Sequence, residues 1–191
     1  MRKGKTVVIW SILAIWAGVI TVPMSLLMAS HMVAFNTPNE IVDLHYPRNS
    51  EGEWSLNHVL SGDCKCSLGV ADYLVTRRKQ SGIRENIVLM NGTDEMKKEL
   101  IRAGFTISSV DSEELCQQYG SLGVPYYQVV TPNYDLYHSS GYFLSTDRTQ
   151  RTFDDLSALE KAQGNESLEE HSFYGCATSI DLKESINPFN F

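Results

Sequence analysis

Two cysteines one residue apart, Cys64 and Cys66, sit inside "SGDCKCS" (61–67), between a strand-like run and a helix-like run. Paired thiols can exchange disulfides, hold a soft metal ion, or pack as small apolar side chains. Their position favours reactivity. A thiol at a helix N-terminus meets unpaired backbone N–H groups and the positive end of the helix dipole, and both stabilise thiolate. Lys65 reinforces that pull, whereas Asp63 opposes it. A bond between residues i and i+2 would close a small ring, so a Cys64–Cys66 disulfide is expected to be comparatively oxidising.

Cys116 and Cys176 complete a set of four, and in an oxidising compartment four cysteines permit three pairings that spacing leaves open. Cys116, beside Leu115 in a short amphipathic run, reads as core. Cys176, in "SFYGCATS", follows the last predicted helix in a tail that can fold back toward the motif as a resolving thiol or a ligand. Closely spaced thiolates also suit Cu(I), and Cys64 and Cys66 with His138 would make a copper-binding set. A lone histidine on an alternating strand otherwise reads as structural or exposed. His31, His45, His58 and His171 show no ligand spacing, and the chain lacks the second close pair that a structural zinc site would use.

The surrounding chain alternates strand and helix signals from Trp54 onward, which predicts an α/β layer fold. "EWSLNHVL" reads as a strand leading into the motif, and "SLGVADYLVTRRKQSG" (67–82) as a helix with Leu68, Ala71, Leu74 and Val75 on one face. Arg77, Arg78 and Lys79 suit its last turn, and Gly82 its end. "NIVLMNG" reads as a buried strand and "DEMKKELIRAG" as a helix capped by Thr93. "FTISSVD" follows as a strand, then a short helix opened by Asp111 and Glu114. "VPYYQVV" and "DLYHSSGY" form two strands joined by the turn "TPNY". "DRTQRTFDDLSALEKAQG" (147–164) closes the series as an amphipathic helix, and the tail 165–191 shows no periodicity.

This order, with "CKCS" at a strand-to-helix junction and "YGSLGVPYYQVVTPNYDLYHSSGY" downstream, resembles the thioredoxin superfamily, especially its membrane-anchored extracytoplasmic members. The resemblance covers about residues 54–163. It implies a thioredoxin-like three-layer fold with a central mixed sheet. It also implies a cis proline at Val124–Pro125 packed against the cysteine motif, and thiol–disulfide exchange with a protein substrate. On that reading Cys64 attacks, Cys66 resolves and Pro125 shapes the substrate groove. The family's motif spaces its cysteines by two residues, so two registers remain: one places Ser67 in the resolving position, the other places Asp63 in that of the nucleophile. The superfamily also contains copper-delivery proteins and supports a third reading, a non-catalytic docking module whose groove is lined by Tyr126, Tyr127, Tyr134, Tyr137 and Tyr142.

The N-terminal segment sets the expected location. Residues 6–30 contain no ionisable side chain, and about 20 apolar residues suffice to cross a bilayer. A secretory signal would be shorter in its apolar part and end in an A-x-A-like site. Arg2, Lys3 and Lys5 precede the run, and only Arg48 among Lys and Arg follows within residues 31–50. The positive-inside rule therefore predicts a cytoplasmic segment 1–5, an uncleaved anchor 6–30, and an extracytoplasmic remainder, periplasmic in a Gram-negative cell. That remainder divides into a tether with a possible edge strand (31–50), a domain (51–165) and a tail (166–191). The whole chain carries −7, and setting aside the three N-terminal cations leaves −10 for the rest, a charge that disfavours nucleic acid as a partner.

Overall fold

The computed structural model describes residues 10–11, 13, 15–22, 34–42, 52–142, 153–169 and 171–186. Its centre is β2 (Ser55–Ser61), all seven residues of which are buried. β2 pairs in parallel with β3 (Arg84–Met90), β3 in parallel with β4 (Thr106–Val110), and on its other side β2 pairs antiparallel with β6 (Tyr126–Val130). β7 (Leu136–Gly141) pairs antiparallel with β6, giving a mixed five-stranded sheet in the order β4-β3-β2-β6-β7. The expected α/β fold with a central mixed sheet is present.

Strand alternation sorts side chains to two faces. Leu56, Leu60, Ile87, Leu89, Tyr127 and Val129 join one apolar cluster with α1 (Lys65–Arg77) and α4 (Asp155–Gln163). Val59, Val88, Met90 and Tyr126 join a second cluster that contains Cys64. Thr93 caps α2 (Asp94–Arg102) by accepting from Met96 N–H at 3.2 Å, and Asp111 caps α3 (Ser112–Tyr119) by accepting from Glu114 N–H at 2.7 Å. Both helix starts lie where the sequence places them.

α1 departs from its predicted 67–82. It begins two residues earlier because Cys64 itself occupies the N-cap, and it ends at Arg77 because Arg78 turns to φ 61°. The next amide, Lys79 N–H, donates to Ala103 O, a contact with the end of α2 that local signals do not encode.

Among the described residues four short strands lie outside the main sheet. β1 (Ala34–Phe35) pairs with β8 (Phe173–Tyr174), and β5 (Gly123–Val124) pairs with β9 (Cys176–Ala177), ahead of α5 (Ile180–Ile186). The predicted tether and tail thus meet, and residues 173–177 pack into the domain, with Phe173 fully buried. Residues 147–152, the predicted start of the last helix, and 43–50 of the tether lie outside the described residues.

Of the predicted anchor, residues 10, 11, 13 and 15–22 are helical, and Trp10, Ile15, Trp16, Val19 and Val22 are exposed. Residues 6–9, 12, 14 and 23–30 lie outside the described set. Among the described residues no helix is long and apolar enough to cross a membrane.

One buried polar network crosses the first cluster. Arg77, at the end of α1, donates to Glu85 on β3 at 2.6 and 3.2 Å and to Asp155 at the start of α4 at 2.9 Å. Tyr73 donates to Asp155 at 2.8 Å, His58 Nε2 lies 3.6 Å from Glu85, and His58 Nδ1 meets the Tyr142 hydroxyl. Burial alone would raise the Glu85 carboxyl, but hydrogen bonds from His58 and Arg77 outweigh it and hold the group at about 2. Burial and the neighbouring Asp155 push the Tyr73 hydroxyl up.

Because the folded Glu85 pKa lies below the ordinary 4.5, its contribution is complete above that value and is lost as pH falls toward 2. Glu85→Gln removes the carboxylate that Arg77 and His58 both engage and is expected to cost about 3 kcal/mol at neutral pH. Denaturant melts of both chains from pH 7 to pH 2 should converge at the acid end.

Candidate functional site

The turn that delivers the cysteines is built by close backbone approach. Gly62 N–H donates to Met90 O at 2.8 Å, and a Cβ at Gly62 would meet the Asn91 carbonyl, so only glycine fits between β2 and the end of β3. Asn91 then donates to the Asp63 carboxylate at 2.8 Å, which holds that side chain toward β3. Cys64 follows as the N-cap of α1, 1% exposed, with no side-chain cap bond of its own.

Cys64 is joined to Cys176 in a disulfide that spans 112 residues of sequence, with Cα atoms 5.9 Å apart. The expected Cys64–Cys66 bond is absent. Its absence has a simple cause: Cys66 lies inside α1, and residues two apart on a helix point in different directions. Cys66 is half-buried against the second cluster, and Cys116 on α3 is also half-buried and outside the disulfide. Lys65 is the first residue of α1 and is exposed. Ser67 is fully buried, and its hydroxyl accepts from Ser61 N–H at 3.1 Å, fastening α1 to the end of β2. That hydrogen bond explains a serine at this position without redox chemistry.

The predicted proline is in place. Val124–Pro125 is a cis peptide bond, and the Val124 carbonyl oxygen lies 3.8 Å from Cys64 Sγ. Val124 stands opposite Cys176 in the β5–β9 ladder, so the residue before the proline touches both halves of the disulfide. Thr178 extends this seat: its N–H donates to Leu122 O at 3.1 Å and its hydroxyl to Ser121 O at 2.6 Å.

His138 is elsewhere. It pairs with Val129 across β6 and β7, on the face opposite Cys64, and lines a cavity of about 390 Å³ with Tyr127, Asp154, Lys161 and His171. The expected copper set of Cys64, Cys66 and His138 is therefore not brought together, because strand parity sends the histidine through the sheet. The aromatic groove is corrected likewise: Tyr126, Tyr127 and Tyr142 are fully buried core residues. His58, Glu85 and Asp155, for which the sequence showed no ligand spacing, place one donor each within 4.8 Å of one another. Arg77 fills that space with its own positive charge, so the group is a charge network and not a cation site.

No protein-family model and no curated protein sequence matches this chain. Solved structures do. The chain is similar to a hypothetical protein of Sinorhizobium meliloti at 14% identity, covering 78% of this chain and 91% of that one with a TM-score of 0.55. A thioredoxin-like protein determined in its oxidized form is 14% identical over 69% of this chain and 98% of its own, at a TM-score of 0.51. An uncharacterized conserved protein of Geobacillus kaustophilus is 12% identical over 78% and 89%, at 0.50. The chain has a thioredoxin-like fold.

Mass spectrometry of peptides from non-reduced protein should find Cys64 linked to Cys176 and Cys66 and Cys116 open to alkylation after unfolding. A bond closing so long a loop is expected to contribute up to about 4 kcal/mol by chain entropy. Melts with and without reductant should show that loss, and Cys176→Ser should remove the difference.

Proposed function

We propose that this protein exchanges thiols and disulfides with protein substrates, with Cys64 as nucleophile and Cys176 as its resolving partner. The observation that carries the reading is the Cys64–Cys176 disulfide at the start of α1, against the cis peptide bond of Pro125. In the reducing direction, Cys64 thiolate attacks one sulfur of a substrate disulfide. That S–S bond breaks, one substrate thiolate leaves, and a mixed disulfide forms. Cys176 thiolate then attacks the Cys64 sulfur, the second substrate thiolate departs, and the Cys64–Cys176 bond remains; two electrons have passed to the substrate. The reverse sequence oxidises a substrate dithiol.

The residues present suit these steps. The N-terminus of α1 stabilises the Cys64 thiolate as attacker and as leaving group, and Lys65 adds positive charge beside it. Pro125 and Val124 shape the surface next to the sulfur. Cys66 resolves less readily than Cys176 because it points away along α1.

The protein acts from a membrane tether, with residues 6–30 as anchor, residues 1–5 in the cytoplasm and the domain on the extracytoplasmic side. Support comes from the uncharged run, its flanking cations and the exposed apolar side chains of Trp10, Ile15, Trp16, Val19 and Val22. An oxidising compartment also accords with a disulfide in the folded domain.

Reduction of a disulfide-bonded test protein should fall at least about 100-fold in Cys64→Ser. Cys176→Ser should accumulate the mixed disulfide on Cys64, visible as a mass increase, whereas Cys66→Ser should turn over near the unsubstituted rate. Equal turnover in Cys64→Ser would sink the exchange reading. Extraction of cell membranes at alkaline pH should leave the full chain in the pellet, and a chain lacking residues 6–30 in the supernatant.

A further inference from the structure

β5 is a strand of two residues, and what pairs with it comes from the chain's own C-terminal region. β9 lies antiparallel to it, Cys176 opposite Val124, with Thr178 clamped to Ser121 and Leu122. Cys64 is 1% exposed beneath this arrangement. An incoming disulfide must touch Cys64 Sγ to react, and it cannot do so while β9 is seated. The ladder between β5 and β9 is also the shortest kind of pairing among the described residues, two residues against two, so its release costs little compared with opening the main sheet.

We propose that β9 is a resident stand-in for substrate: the edge of β5 docks an extended polypeptide whose cysteine takes the register of Cys176, and this polypeptide must displace β9 to reach Cys64. The inference rests on the exchange reading above and names its partner. β9 also shows which sequences fit. The residue before the cysteine is Gly175, and a Cβ there would meet the carbonyl of Val124. Phe173, two residues earlier, is fully buried and contacts the rings of Phe35 and Tyr126. The preferred partner is therefore an extended segment with a small residue before its cysteine and an aromatic anchor further upstream.

The test uses full-length Cys176→Ser and a synthetic peptide, SFYGCATS, whose cysteine is carried as a mixed disulfide with thionitrobenzoate. Cys64 thiolate attacks the peptide sulfur, the bond to thionitrobenzoate breaks, and the coloured thiolate is released as the Cys64–peptide disulfide forms. The comparison peptide has valine in place of the glycine. Attachment at Cys64, located by mass spectrometry, should be about tenfold faster for the glycine peptide, the rate ratio of a 1.4 kcal/mol difference. Hydrogen exchange should then rise at residues 176–178 while residues 123–124 stay protected, because the peptide has replaced β9. Equal rates for the two peptides, or residues 176–178 still protected after attachment, would overturn the proposal. Free Ellman's reagent separates the two readings: fast reaction at reduced Cys64 with residues 176–178 still protected removes only the docking strand, whereas loss of any Cys64-dependent reduction of the disulfide-bonded test protein removes both. The same exchange measurement on reduced, unsubstituted protein decides the matter if Cys176→Ser does not fold.

Discussion

A single guanidinium between two carboxylates sets the position of α1. Arg77 reaches from the last turn of that helix to Glu85 on β3 and Asp155 on α4, so one side chain ties the helix to the sheet and to a second helix. At the other end, Ser67 fastens the first turn to β2. A helix held at both ends cannot slide, and Cys64 at its N-cap inherits that constraint. Buried ion pairs seldom add much net stability over an apolar replacement, so the value of this one is in positioning. The partners it joins are specific, each a single side chain on a different element.

The second constraint is the turn at Gly62 and Asp63. Backbone meets backbone there, and the cysteine motif emerges in the cleft between the ends of β2 and β3. Both constraints act on the same residue from different directions, and neither involves the sulfur itself.

Much of this architecture was legible in the residues. The strand and helix order, the caps at Thr93 and Asp111, and the proline after Val124 rest on local chemistry that a short window contains. Cys176 was legible as a candidate resolving thiol, but its choice over Cys66 as the partner of Cys64 was not, because the pairing is set by the β5–β9 ladder, two residues against two, which leaves no periodic trace in the tail. The place of His138 depends on register: it stands opposite Val129, and the face of Val129 excludes it from the thiols. The charge network escaped for another reason. His58, Glu85, Arg77 and Asp155 come from four different elements, and each alone reads as an ordinary polar residue. His58, flanked by Leu56, Val59 and Leu60 in a buried strand, was the available signal, since a fully buried imidazole requires hydrogen-bonding partners.

The 112 residues between Cys64 and Cys176 also order events during biosynthesis. At roughly 5 to 20 residues per second, the ribosome needs on the order of ten seconds after making Cys64 before Cys176 exists. Throughout that interval the nascent chain can contain Cys64, Cys66 and Cys116 but not the strand that covers the first of them. Of the described strands, the last to be synthesised is thus the one that closes the reactive centre, and a nascent chain that has not yet reached it would display an uncovered thiol to every neighbour with a disulfide.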